Sequence, residues 1–562
     1  MVLAQTGFDL TGRVSLRVQN TGYNQNSEIR PDSISTDQYS LTTLIPGLQQ
    51  MLNISLFGRT SAMDFTFLAD LKNNEWNRLK ISDFNSIPRL SLYVHWDNQD
   101  LIAGDFFDSF SELFILSREV RGGKYRLQAD DIWGKNSILE INILGGMVQK
   151  AIAEGSRSNG LYKQFETTGQ YRRWMGAGIL KIGQQNYFDL SLNYLYGRDQ
   201  ESSIDTSLNF PLKNNVYGGA ANFYFWANNI RLFAEFYQSS KDTLKSGQGK
   251  DQAYYGGFDL RYRTFNLIML YEKLGAEYFT VGYPYLENDK RGIKGKMDYA
   301  FPAIIILNTD FEIFKDNLDK RSYQPTAAIS LFNAGFTTLV PRWPELTLRY
   351  GLRTDLSKTI YDQDDQRFKT DKTTTKLEGR LSFDLERNRF ALSAVKLALK
   401  DRSLLGSTLP LSTNQFITSL TFYSSALTDL FLSVGAVHSY MRLSNDQKNI
   451  NLYIYETNRW NIIPRRLLLE STLTMIRNDA SGGGTQDVLN DYFTLLGEIS
   501  FEYFFNTQMS FKVIVGTDNK KYKYTLDEAR QIITDPEYGP AYFNGSETYR
   551  ALIVGGEINW IF

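Results

Sequence analysis

Along about two dozen stretches of this chain, apolar and polar side chains alternate with a period of two. Val14, Leu16 and Val18 alternate with Ser15, Arg17 and Gln19, and Leu52, Ile54 and Leu56 with Asn53 and Ser55. Met63, Phe65, Phe67, Ala69 and Leu71 face away from Asp64, Thr66, Asp70 and Lys72. The pattern recurs at Phe188–Tyr196, at Leu346–Arg353 and at Lys376–Leu385. Period two is the signature of an extended strand with one apolar and one polar face. A chain of 562 residues would ordinarily split into three or four domains at about 150 residues each, unless one large β architecture absorbs its length.

Turn signals separate the strands. Trp226 to Ile230, with two Asn between them, reads as a tight hairpin, since Asn tolerates positive φ. Arg121 to Lys124, with its glycine pair, and Glu386 to Arg389 read the same way. Other connections are long and polar: 21–48, 73–87, 200–213, 241–251, 275–290, 357–371, 478–489 and 520–547. Short turns alternating with long polar loops fit a barrel in the bacterial outer membrane, short on the periplasmic side and long outside.

The two faces support the same reading. The apolar face carries Phe, Tyr and Trp toward the strand ends, while the other carries Arg, Lys, Glu, Asp and Asn. An aromatic-flanked apolar exterior around a polar interior suits lipid, and lipid demands closure because an open edge would leave backbone groups unpaired in hydrocarbon. No repeat of 20–50 residues stands out, which weakens propeller and β-helix readings. The expected fold is therefore all-β: a single closed antiparallel transmembrane β-barrel of about 22–28 strands with a polar lumen. Residues 1–5 read as the tail of a signal peptide, because Met1 to Ala4 is small and apolar and Gln5 follows. Residues 6–562 form the barrel, with 6–150 able to fold partly into the lumen. A separate N-terminal plug of about 130 residues, as a TonB-dependent transporter needs, is disfavoured because alternation already starts near Phe8.

Composition closes off other chemistries. Without cysteine there are no disulfides, thiolate metal sites, iron–sulfur clusters or covalent c-type haem. Two histidines leave little for His-based metal or triad sites. A net charge of −1 argues against nucleic acid as partner, and no apolar run approaches the 18 or so residues of a membrane helix.

The chain stops at Gly556, Glu557, Ile558, Asn559, Trp560, Ile561 and Phe562. Phe562, Trp560, Ile558, Val554 and Leu552 share one phase. This ending resembles the β-signal of Gram-negative outer-membrane proteins, although Glu557 stands where that pattern usually has Gly. The resemblance implies recognition of Ile558, Trp560 and Phe562 by the barrel-assembly machinery. Ile102–Phe107, Phe110 to Leu113, and Arg118 with Arg121 to Gly123 look like the Gly-Asp…Arg-Gly stretch in the first strands of large barrels, such as ushers and the type 9 secretion translocon. Asn215 to Gly219 and Tyr271 to Gly292 are similar to porin-like barrels of the Bacteroidetes. These stretches cover under a fifth of the chain and imply a lineage.

Few residues suggest chemistry. His95 shares the polar phase with Ser91 and Asp97, yet residues along one strand face stand side by side and nothing supplies an oxyanion hole, so a lumen histidine is expected. His438 falls in the apolar phase. The run Asp362, Asp364 and Asp365 lacks the glycine and distal Glu of a calcium loop, and Gly482–Gly484 has no Lys-Ser/Thr to cradle phosphate. No enzyme and no cofactor is expected. The charged lumen residues remain. Arg349, Arg353, Lys376 and Arg380, with Glu378 and Asp384, could form one wall of a constriction, and Arg118 and Arg126 are expected to face Asp130 and Asp131. Such pairs could equally just satisfy one another.

The leading functional expectation is a porin-like channel for small hydrophilic solutes. A secretion or assembly scaffold holding periplasmic or surface protein partners is the alternative, with loop 520–547 and its Tyr538 and Tyr542 as interaction surface. The sheath of an electron conduit stands further off. The expected surroundings are outer-membrane lipid and lipopolysaccharide.

Overall fold

The computed structural model describes the chain except residues 1–7, 27–46, 75–86, 153–154, 159–163, 168, 205–209, 244–246, 303, 320–325, 358–360, 364–365, 406–410, 426–428, 444–447, 482–490 and 523–547. The expectations at residues 1–5, Asp364, Asp365, Gly482–Gly484, Tyr538 and Tyr542 lie outside the described residues.

Twenty-six strands form one sheet, each antiparallel to its sequence neighbours. The first strand, Asp9–Asn26, pairs both with the second, Gly47–Arg59, and with the last, Thr548–Ile561, so the sheet has no edge. At about 4.8 Å between strands and a tilt of about 40°, a circular barrel of this size has a circumference of about 160 Å and a diameter of about 50 Å.

Closure is made by the residues expected to form the terminal signal. Trp560 lies opposite Val14 and Ile558 opposite Leu16. Phe562 exchanges both backbone hydrogen bonds with Gly12, at 2.9 and 3.0 Å. Gly12 must be glycine here, because a Cβ would sit 2.8 Å from the Phe562 ring. Glu557 points inward, where Ser15 Oγ donates to it at 2.9 Å.

Connections of two to six residues, such as 263–264 and 386–387, gather at the end that holds Phe562. Connections of three to twenty-five residues gather at the other end. By the asymmetry of outer-membrane barrels, the first end is periplasmic and the second is at the cell surface. The expected turn at Trp226–Asn229 is present, with Trp226, Ala227 and Asn228 at positive φ. Glu386 and Arg387 also form a turn. Gly122 and Gly123, by contrast, lie inside the strand Arg118–Asp130, opposite Gly146 and Gly145. They serve close backbone approach, since a Cβ on Gly122 would meet the Gly145 carbonyl oxygen at 2.0 Å. The expected loop 241–251 is almost all strand, because the pairing of Ile230–Thr243 with Gly247–Tyr262 continues to its ends.

The exterior is apolar. Ile143, Leu192, Tyr194, Tyr217, Phe236, Ile313 and Leu377 are among the outward side chains left exposed. Near the short turns, aromatic rings meet in neighbouring positions: Trp226 with Tyr262, Tyr299 with Phe301, Phe390 with Phe422, and Trp560 with Phe562. This girdle sits where amphipathic rings favour the membrane interface. No helix is long and apolar enough to cross a membrane; the strands cross it. The protein is an outer-membrane β-barrel.

Candidate functional site

The inward face is the candidate site, and two surface-end connections reshape it. Residues 109–117 and 275–289 fold back against the inner wall instead of extending outward. Leu113, Phe114, Ile115, Tyr278 and Val281 are almost completely buried, packed on Val120, Leu144, Met175, Leu195, Val216 and Tyr237 of the wall. The wall residues alternate with outward Leu192, Tyr194 and Phe236, which places the cluster inside the barrel.

The two segments hold each other and the wall. Thr280 Oγ1 donates to the Phe114 carbonyl at 2.8 Å, and the Tyr278 hydroxyl donates to that of Leu113. Burial pushes the Tyr278 phenol above its ordinary pKa, so it remains a donor. Asn214, fully buried on the wall, accepts from Val281 N at 2.9 Å and donates to the Phe279 carbonyl at 3.0 Å. Ser239 Oγ accepts from Phe279 N at 3.1 Å. Phe114 stacks on Tyr237 with ring centroids 5.4 Å apart. Gly282 lets the segments touch, as a Cβ there would lie 2.2 Å from the Phe114 carbonyl oxygen. A pair of loops so paired and so apolar behaves as a fixed shelf, because opening it would expose both hydrophobic surface and unpaired backbone groups. The expectation of a long polar connection at 275–290 is therefore corrected: Tyr278, Phe279 and Val281 are its anchors.

Beyond the shelf the inner wall carries clusters of ions between apolar side chains such as Val395 and Leu397. Arg349, Arg353, Lys376, Glu378, Arg380 and Asp384 all point inward from two adjacent strands, Glu345–Ser357 and Asp371–Leu385. Lys376 Nζ lies 2.9 Å from Glu378, Arg349 3.7 Å from Glu378, and Arg353 2.9 Å from Asp355. Asp384 meets Arg389 at 3.4 Å beside the periplasmic turn. Arg380 forms no ion pair among the described residues. Because these residues follow one another along two neighbouring strands, they make a column that runs along the wall, tilted with the strands.

Arg126 also faces the lumen, but its partners are Asp100 and Glu140 at 3.3 and 3.2 Å, on the flanking strands. Asp130 instead accepts from Gln128, and Asp131 caps the turn by accepting from Asn136 N. Arg118 donates to the Val148 carbonyl at 2.9 Å. The expected facing of Arg118 and Arg126 toward Asp130 and Asp131 is thus corrected: on this strand the cross-strand neighbours were nearer than the residues further along. The Arg118–Asp130 strand is sixth in order and Glu345–Ser357 seventeenth of twenty-six, so the two charged groups face each other nearly across the lumen.

His95 points into the lumen, with Nδ1 2.6 Å from Asp100 Oδ1. Ser91 is buried and donates to the Asp105 carbonyl. Ser91 and His95 are four residues apart on one strand, about 13 Å, so no nucleophile–base contact forms. His438 points outward, in register with Leu452. Among the described residues no group of His, Asp and Glu could hold a metal.

The Gly-Asp…Arg-Gly residues have a structural explanation. Asp105 and Arg121 form a buried bidentate pair, with Nη2 2.9 Å from Oδ2. Arg121 also donates to the Ile87 carbonyl at 2.8 Å, and Asp105 accepts from Leu90 N at 2.7 Å. Together they fasten the start of the short strand Arg89–Trp96, and they stand on the two strands that the inward 109–117 segment connects.

No protein-family model matches the chain, and no curated protein matches it. Among solved structures, the chain is similar to the siderophore receptor PirA from Pseudomonas aeruginosa, with 12% identity, a TM-score of 0.42, and 98% of this chain and 80% of that one covered. It is also similar to BauA, the ferric preacinetobactin receptor from Acinetobacter baumannii, with 9% identity, a TM-score of 0.38, and 99% and 81% covered. OmpT of Vibrio cholerae gives 9% identity and a TM-score of 0.26 over 66% and 98%. These superpositions are loose, and the barrel assignment rests on the strand pairing itself.

Proposed function

We propose that the protein is a porin-like diffusion channel for small hydrophilic solutes. The observation that carries this reading is the inner wall. Away from the shelf it carries ionised side chains, such as Arg349, Lys376 and Glu378, beside apolar ones such as Val395 and Leu397, in a barrel about 50 Å across. The two described inward segments, of nine and fifteen residues, cover one side of that cross-section. The shelf narrows the path, and the column Arg349, Arg353, Lys376, Glu378, Arg380 and Asp384 lines its far side opposite Arg118 and Arg126. Because acids and bases interleave, the wall offers hydrogen bonds and local fields without a strong net sign.

Liposome swelling tests the reading. Vesicles reconstituted with the protein should swell in isotonic neutral sugars, at rates that fall with solute size. Vesicles that stay impermeable with a heat-modifiable, correctly folded barrel would contradict it and favour a lumen held for a protein partner.

A further inference from the structure

On three neighbouring strands the pairing sets like charges against each other. Lys273 on Phe265–Leu274 lies opposite Arg291 on Lys290–Phe301, and Arg291 lies opposite Lys315 on Ile305–Asp316. All three are in phase with outward Tyr271, Ile293 and Ile313, so they point away from the lumen. Directly opposed cations destabilise an antiparallel pair, and none of the three has an ion-pair partner among the described residues. The inward cations of the same strands contrast with them: Lys294 meets Glu272 at 3.0 Å, and Lys290 meets Glu272 and Glu287 at 3.7 Å.

Height on the barrel narrows the explanation. The three cations sit at the surface end of their strands, one outward position above Tyr271, Ile293 and Ile313, which are exposed by 42%, 46% and 56%. Lys273 Nζ lies 5.9 Å above the ring of outward Tyr254. The edge of the hydrocarbon therefore runs just beneath the cations. Farther round the same rim, outward Arg198 stands opposite Lys213, which has Asp242 on its other side. The Lys273–Arg291–Lys315 row lacks even that acid.

We propose that Lys273, Arg291 and Lys315 form an external clamp for the phosphate groups of a phosphorylated glycolipid of the outer leaflet. A headgroup phosphate at this level would bring the missing anions, and its acyl chains would lie along Tyr271, Ile293 and Ile313 below. The charges then cost little in the membrane while destabilising the barrel in a neutral detergent. The clamp is on the exterior and stands whether or not the lumen conducts.

Native mass spectrometry of the detergent-purified protein tests it, with bisphosphorylated lipid A and the same lipid stripped of phosphate as probes. The protein should retain the phosphorylated lipid and not the stripped one. Each cation removed should cost about fivefold in retention, so Lys315→Gln should lose about fivefold and the triple variant Lys273→Gln, Arg291→Gln, Lys315→Gln roughly a hundredfold. Heat-modifiable gel mobility shows that each variant is folded, and the single variant carries the test should the triple fail to assemble. Equal retention of the stripped lipid, or unchanged retention by folded variants, would overturn the clamp.

Discussion

At the scale of single residues, Asn214 is the most informative side chain. Its amide joins Val281 N and the Phe279 carbonyl to the wall, and also reaches the Ser240 carbonyl at 3.1 Å. Replacing Asn214 by Ala leaves buried backbone groups unpaired, at about 3 kcal/mol for the group. Hydrogen exchange at residues 278–282 should then speed by roughly a hundredfold, the same energy expressed as an opening equilibrium. Unchanged protection there would show that the shelf is held by something else. Gly282→Val should have a similar effect through the clash with Phe114. None of this was readable in advance. Asn214 sits in an alternating strand like any inward polar residue, and only the folded-back loop reveals its partners. Leu113–Leu116 did carry a signal, since four successive apolar residues are poor material for a solvated loop.

At the scale of elements, period-two alternation located the strands well, because lipid outside and polar groups inside leave each side chain little choice of face. The hairpins at Trp226–Asn229 and Glu386–Arg387 were legible from their short Asn-containing polar runs, although positive φ falls on Trp226, Ala227 and Glu386 as well as on Asn228. The glycine pair Gly122–Gly123 misled because glycine serves turns and close strand approach alike, and the sequence does not say that Gly145 and Gly146 will lie across from it. The paired Lys241 and Gly249 likewise looked like a polar loop, since strands project past the membrane where polarity no longer distinguishes strand from turn. Closure at Gly12 and Phe562 yields a prediction at this scale. Phe562→Ala removes the ring that fills the space left by Gly12, and Gly12→Val overfills it. Each should lower the temperature at which the barrel converts to its unfolded mobility on a gel, and Phe562→Ala should also slow assembly. Conversion at the wild-type temperature in both variants would remove the seam from the account of stability.

At the scale of the whole molecule, the alternation already implied a barrel of this size, but the lumen contents lay in connections that composition alone could not orient. Candidate charges such as Arg349 and Lys376 lie on the inward face, and their arrangement as a column along two strands emerged only from the register. If the column borders the path, Lys376→Glu with Arg380→Glu should shift selectivity toward cations, read as a change in reversal potential across a salt gradient. An unmoved reversal potential in a conducting variant would place the path elsewhere. The central claim, that this barrel encloses an open polar lumen with a fixed shelf on one side, is tested most directly by single-channel recording of the purified protein in a planar bilayer. Large, stable, ohmic steps with weak ion selectivity are predicted, and silence from a folded, heat-modifiable barrel would contradict the account.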